Sequence, residues 1–479
     1  MITAAMIAVF VLGYVGIAIE HNLKVNKAGI ALITGIILWV IYIFGADYYV
    51  PAFNLTEFQH FLDLSPQLKN LSGHEQHIRF VVDGQVLEHI GDIAETLLFL
   101  MGAMTIVELI DVHGGFAFIT NRISTRDKHK LLWTISLLTF FMSALLDNMT
   151  TAIVMIMMLR KLIANYKERW LFGSVIIIAA NTGGAWSPIG DVTTIMLWVK
   201  GNISTIPTII HLILPSFIAM LVPVFIANRF LHGILTSPDY QDEIPKLQQL
   251  MSKKERLSIL LLGIACLVFI PIFKAVTHLP PFMGAMLSLG ILWIYTEIMY
   301  QRNTNIEECL KERVSQVLRR IDMSTILFFL GILLSVAALQ SAGVLAGFAG
   351  FLDDKVHNIY AINTLIGVLS SIVDNVPLVA AAMGMYPVAD ATMIAASADA
   401  AYVATFLQDG TFWQLLTYCA GVGGSILIIG SAAGVVVMGL EKIPFGWYLK
   451  NISRMALSGY LAGVLVYWLQ SLILSSGVV

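Results

Sequence analysis

Charge is what this chain has least of. Only 12% of its 479 residues are Asp, Glu, Lys or Arg, about half the share usual in soluble domains. Such a chain cannot clothe a water-facing surface. With 58% hydrophobic residues and a mean hydropathy of +0.81 it reads as an all-α polytopic membrane protein. Cysteine is nearly missing as well. Cys266, Cys309 and Cys419 stand singly, at spacings that suit neither a disulfide framework nor a zinc site. A net charge of −3 says little about partners, and membrane lipid, not nucleic acid, is the expected surrounding. The first apolar run, 4–19, has no basic leader and no small-x-small cleavage site, so it is expected to remain as a membrane helix.

What the chain does have is long apolar runs. Spans of about 20 residues fall at 3–20, 28–45, 92–111, 170–199, 203–229, 257–275, 281–300, 322–346, 411–440 and 455–475. Lys and Arg concentrate on the cytoplasmic side of membrane proteins. With both termini external, only Lys69, Arg79, Lys200, Lys274 and Lys355 of the 28 basic residues fall outside. The loop 46–91 is then external and is expected to be an amphipathic surface segment. Its His60, His74, His77 and His89 read as solvated loop, not as a metal site. The internal stretch 301–320 is expected to be a basic surface helix.

Residues 131–160 break the pattern. The run is apolar at both ends and holds Ser143, Asp147, Asn148, Thr150 and Thr151 in its middle, with basic residues on both flanks. A segment whose two ends lie on one face cannot span. It is expected to be a re-entrant hairpin with Asp147-Asn148 at its tip and arms of about 14 residues, enough to reach roughly 20 Å into the bilayer.

The second half repeats the first. LFLMG at 98–102 recurs as LFFLG at 327–331; Ser143-x-x-x-Asp147-Asn148 recurs as Ser370-x-x-x-Asp374-Asn375. Gly183-Gly184 with Gly190 recurs as Gly423-Gly424 with Gly430. Five spans per copy is an odd number, so the copies run in opposite directions. The second hairpin accordingly has acidic flanks (Asp353, Asp354, Asp390, Asp399, Asp409) and should enter from outside. The expected organisation is two inverted-topology repeats, each with five transmembrane helices, one re-entrant hairpin and a discontinuous helix. The first covers 1–230 (hairpin 131–160, broken helix 170–199) and the second 257–479 (hairpin 359–388, broken helix 411–440), joined by a cytoplasmic linker at 231–256. Hairpins meeting from opposite faces are the inverted-repeat transporter pattern.

Both broken helices are dense in breakers. Asn181 to Thr194 holds two adjacent glycines, a proline and a run of polar side chains, which cannot be an ordinary helix interior. Unwinding is expected over this stretch and over Gly421 to Ala432, where Ser431 replaces the acid Asp191. Free carbonyls with hydroxyl and carboxylate oxygens make a hard-cation cage. Ser or Thr in such a helix often only bonds its own backbone, whereas Asp147, Asp191 and Asp374 are acids expected at membrane depth, where charge is costly and functional by default. Glu95, one turn inside its span, is the remaining candidate for proton coupling. Every Lys and Arg can be assigned to loops or span ends, so none is obliged to hold an anion. The pattern favours a small cation and protons competing for the same carboxylates.

SALLDNMTTAIVM at 143–155, NTGGAWSPIGDVTTIMLW at 181–198, SSIVDNVPLVAA at 370–381 and GGSILIIGSAAGVVVMG at 423–439 resemble the NhaD-type sodium/proton antiporters of the ion transporter superfamily. The resemblance implies extrusion of Na+ or Li+ driven by proton entry, no cofactor and no enzymatic activity, an inner (plasma) membrane location, and a homodimer with elevator-like motion. By motif match it makes Asp147, Asn148, Thr150, Thr151, Asp191, Thr193, Thr194, Ser371, Asp374, Asn375, Ser425 and Ser431 the cation residues. Asp147, Asp374 and Asp191, with Glu95, would couple protons. The alternatives are a sodium-coupled dicarboxylate or other anion carrier or an oxyanion exporter of the same superfamily, and an intramembrane aspartyl protease, for which the repeat gives no reason.

Overall fold

The computed structural model describes residues 2–18, 25–116, 125–231, 233, 235, 247, 250–303, 307, 310–372 and 375–476. These are helices and connecting turns, with no strand among the described residues. Eight of the helices are long and apolar enough to cross a membrane. The chain forms two compact units. One comprises 1–98, 322–358 and 379–387, the other 99–321, 359–378 and 388–479.

In the first unit Lys27–Phe44 lies against Met323–Ser341. The contact is built on small residues. A Cβ at Gly35 would come 2.8 Å from the carbonyl oxygen of Gly331, so only glycine lets the two backbones approach so closely. Asn26 starts the first of these helices by accepting from the Ala28 amide, and its amide donates to Ser324 Oγ beside the start of the second. The expected external loop is mostly helical, with Ala46–Phe53, Leu55–Leu64 and Gly73–Arg79 leading into Leu87–Val112. Three of its histidines are not merely solvated: the Nδ1 atoms of His74 and His77 lie 2.7 and 2.8 Å from the two carboxylate oxygens of Asp47, and His89 Nε2 lies 3.1 Å from Ser341 Oγ.

In the second unit the first hairpin is Lys128–Leu146 and Asn148–Leu162. Its arms are 19 and 15 residues, not about 14 each. The first arm begins early because Asp127, a polar residue ahead of the apolar run, caps it by accepting from the Lys130 amide. Tyr166–Ala185 packs on the first arm, and Thr411–Gly423 packs in the same manner on Ile359–Ser370, the first arm of the second hairpin. Ser143 donates to the Ala180 carbonyl, and Ser370 donates to the Ala420 carbonyl. Thr205–Phe230 lies against Ser453–Ser476, where Tyr418 donates to the Tyr460 carbonyl and Tyr460 to that of Thr364.

The basic stretch 301–320 is not a surface helix along its described residues. It holds the end of Pro281–Arg302, a short helix at Val314–Val317 and a 3-10 turn, Leu318–Arg320. Two of its arginines are paired: Arg313 with Glu297 at 2.5 Å and Arg320 with Glu312.

Candidate functional site

The site is built where four helices begin. Leu146 ends the first hairpin arm and Asn148 starts the second; Asp147 alone makes the turn. Its φ of 89° and ψ of 155° lie in a region that is essentially reserved for glycine. The chain accepts the strain because the Asp147 carboxylate caps the second arm, taking the Thr150 amide at 2.8 Å and the Thr150 hydroxyl at 2.7 Å.

The neighbouring Asn148 points elsewhere. Its amide donates to Asn181 Oδ1 at 3.0 Å and to Asp191 Oδ2 at 3.1 Å. Asn181 in turn donates to Ser425 Oγ at 2.9 Å and Ser431 Oγ at 2.8 Å. Asn375, the first residue of Asn375–Met385, donates to Asp191 Oδ2 at 3.4 Å. The hairpin tips and both broken helices are thus joined through one network, whose members Asn148, Asn181, Asp191, Asn375, Ser425 and Ser431 are all buried.

The breaks are shorter than expected. Tyr166–Ala185 stays helical through Asn181, Thr182, Gly183 and Gly184 and opens only from Trp186 to Asp191; Thr411–Gly423 likewise continues past Gly421. Gly183 sits on the carbonyl of Phe140 and Gly423 on that of Gly367, so the glycines serve close packing against the hairpin arms and not unwinding. Beyond each break the helix restarts in the same way. Asp191 caps Val192–Val199 with φ −145° and ψ 147°, and Ser431 caps Ala432–Glu441 with φ −146° and ψ 154°.

Two groups of hydroxyls differ. Thr182 and Ser371 bond the carbonyls of their own helices, the bland role. Thr151, Thr193 and Thr194 are fully buried, and their hydroxyl oxygens have no partner among the described residues. A buried polar atom without a partner costs roughly 1–3 kcal/mol, and these three lie in the first turns of Asn148–Leu162 and Val192–Val199.

Comparison with known proteins places the chain in a family. A family model described as citrate transporter matches residues 2–407. Sodium/proton antiporter 1 and sodium/proton antiporter 2 of Arabidopsis thaliana are 42% and 40% identical over 466 residues, covering 97% and 96% of this chain and 72% and 98% of theirs. The Na(+)/H(+) antiporter NhaD of Vibrio cholerae is 32% identical over 416 residues, 80% of each chain. The chain belongs to the citrate transporter family and, within it, to the NhaD-type sodium/proton antiporters. It is a multi-span membrane transporter, not an enzyme.

Of the residues this antiporter's sequence singled out, Asn148, Asp191, Asn375, Ser425 and Ser431 share the one network; Asp147 and Thr150 bond each other beside it. Asp374 lies outside the described residues. Glu95 is half-buried in the first unit. Sequence reasoning gave Asn181 no role, yet it is the bridge: both N–H groups of its amide donate and its Oδ1 accepts. The available signal was its place: an amide directly after the apolar run 175–180, two positions before the glycine pair.

Proposed function

We propose that this protein exchanges Na+, or Li+, for H+ by alternating access, with cation and proton competing for Asp147, Asp191 and Asp374. The observation that carries the reading is the buried Asp191 carboxylate, which accepts from the side-chain amides of Asn148 and Asn375 and from the Thr193 backbone amide, with partnerless hydroxyl oxygens at Thr193 and Thr194 in the helix it starts and at Thr151 in the helix that Asn148 starts. A buried carboxylate calls for a compensating charge, and a proton or a small cation supplies it interchangeably. Asn148, Thr150, Thr151, Thr193, Thr194, Ser371, Asn375, Ser425 and Ser431 complete the cation shell, and Glu95 serves proton coupling. No cofactor takes part.

Converging helix starts would by themselves suit an anion such as citrate. Here two of the starts already carry their own anion, since Asp147 accepts the Thr150 amide and Asp191 the Thr193 amide. A second anion would face both carboxylates. That favours the cation over the substrate in the family's description.

The paired contacts support inverted repeats over 1–230 and 257–479. Ser143 and Ser370, Gly183 and Gly423, and Asp191 and Ser431 hold corresponding positions with matching partners. We extend the reading to external termini, a plasma (inner) membrane setting, a homodimer and elevator-like movement of the hairpin-bearing elements. The test is proton movement in sealed vesicles, read with a pH-sensitive dye. Sodium but not choline should collapse an imposed proton gradient. Silence toward sodium and lithium, with a response to citrate, would replace this reading by the anion carrier.

A further inference from the structure

The three helices that carry the Asn148–Asn181–Ser431 triangle are fastened again at their other ends. Glu441, the last residue of Ala432–Glu441, has a side chain only 1% exposed. Its two carboxylate oxygens accept from Arg160 Nε and from Arg169 Nε, each at 2.7 Å. Arg160 also donates to the Leu440 carbonyl, and Trp170 Nε1 donates to the carbonyl of Glu441 at 3.0 Å. Arg169 holds the Ile163 and Ala164 carbonyls at 2.9 and 3.0 Å. Arg160 lies near the end of Asn148–Leu162, and Arg169 and Trp170 lie near the start of Tyr166–Ala185.

The two triangles therefore sit on the same three rods. Asn148 and Arg160 are separated by about 18 Å of helix, Asn181 and Arg169 by about 18 Å, and Ser431 and Glu441 by about 15 Å, at 1.5 Å per residue. A carboxylate is out of place at a helix C-terminus, where the dipole is negative, and burying it there is costly unless it is paired on every side. Its placement has no use for the local helix. It does fix the mutual height and rotation of the three helices whose far ends hold the site.

We propose that Glu441 is a positioning residue for cation binding: the Arg160–Glu441–Arg169 clasp sets the geometry of the Asn148–Asn181–Ser431 triangle from the opposite end of the bundle. The proposal rests on that triangle being part of the cation site. Partners that orient a cation's ligands without touching it are commonly worth about tenfold or more in affinity, and the clasp acts in that capacity through rigid helices.

The test is Na+-dependent proton exchange in vesicles holding the full-length protein, resolved into apparent KM for Na+ and maximal rate. Glu441→Gln, which keeps the shape but accepts from only one arginine well, should raise KM about tenfold with the maximal rate within about a factor of two. Glu441→Asp should fall between Gln and the wild type. Arg160→Gln is a second route, since Arg160 is partly exposed (36%) and its loss can be met by water; it should shift KM in the same direction. Glu168→Gln breaks a different ion pair, Lys128–Glu168 at 2.9 Å, which ties the first arm to Tyr166–Ala185 but touches no part of the triangle. It should leave KM unchanged. If Glu441→Gln exchanges sodium with the wild-type KM, or if Glu441→Gln and Glu168→Gln lower the maximal rate alike with no change in KM, the clasp is merely structural and the proposal falls. Absence of sodium exchange in the wild type would overturn the functional reading itself, a separate outcome.

Discussion

Asn148 Nδ2 lies 3.1 Å from Asp191 Oδ2 and donates to it, joining a hairpin tip to the start of a helix 43 positions along the chain. The bond matters because Asn148 is itself an end residue. A shift of the second arm along its axis would break it, at a cost of about 1.5–3 kcal/mol.

Asp191→Asn keeps the shape of that contact and removes the charge. The variant should express and run as a single species in detergent, since an amide can still cap Val192–Val199. Sodium-dependent proton movement should be lost. Near-normal exchange in this variant would remove Asp191 from the mechanism.

The strained turn at Asp147 separates two roles of one residue. Glycine relieves a backbone cost of about 1–3 kcal/mol and gives up a cap worth about 1 kcal/mol. Asp147→Gly should therefore unfold no earlier than the wild type in a detergent melt, whereas Asp147→Ala keeps the strain, loses the cap and should melt earlier. Both should fail to exchange sodium. A transport-competent Asp147→Gly would show that the carboxylate is only a cap.

Gly183 and Gly423 occupy matching positions against hairpin backbones, where an added Cβ would collide with the Phe140 and Gly367 carbonyls. Backbone cannot yield as a flexible side chain can. Gly183→Ala and Gly423→Ala should both reduce the yield of monodisperse protein sharply, and to a similar degree. Gly446→Ala meets open space and serves as the control.

At the external segment, hydrogen bonds from His77 and His74 hold the Asp47 carboxyl below the usual carboxylate range. A folded-state value below the unfolded one contributes stability that is complete above the unfolded value, about 3.9, and is lost as pH falls through the folded value. Pepsin cleavage within 46–91 should therefore increase as the pH drops below about 4. Asp47→Asn should already be cut more readily above that pH. Equal cleavage of the two proteins at every pH would show that these bonds do not hold the segment.

How much of this was legible in the sequence follows from what each signal measures. Hydropathy located the membrane helices, because burial in lipid demands apolar length. It placed several starts late, since Asn26, Asp127, Asn165 and Ser252 are polar caps that lie outside any apolar window. The helical character of 46–91 escaped because its short helices are held by packing and by side-chain bonds such as those on Asp47, not by a long apolar stripe. The spacing of Asp147-Asn148 and the glycine pairs singled out the stretches that carry the network of Asn148, Asp191 and Asn375. What spacing could not show was direction: neighbours in sequence, Asp147 turns onto its own helix while Asn148 reaches across to Asp191. Nor could it show that Asn181 joins Asn148 to Ser425 and Ser431, because that bond pattern exists only once the second half has folded onto the first.

The central claim is that sodium and protons compete for the same buried carboxylates. It is tested most directly by adding sodium chloride to purified protein in a weakly buffered detergent solution and measuring the protons released. Competition predicts release that saturates with sodium, is absent with choline chloride, and vanishes in Asp147→Asn and Asp191→Asn. Saturable sodium binding with no proton release, or release that persists in both variants, would contradict it.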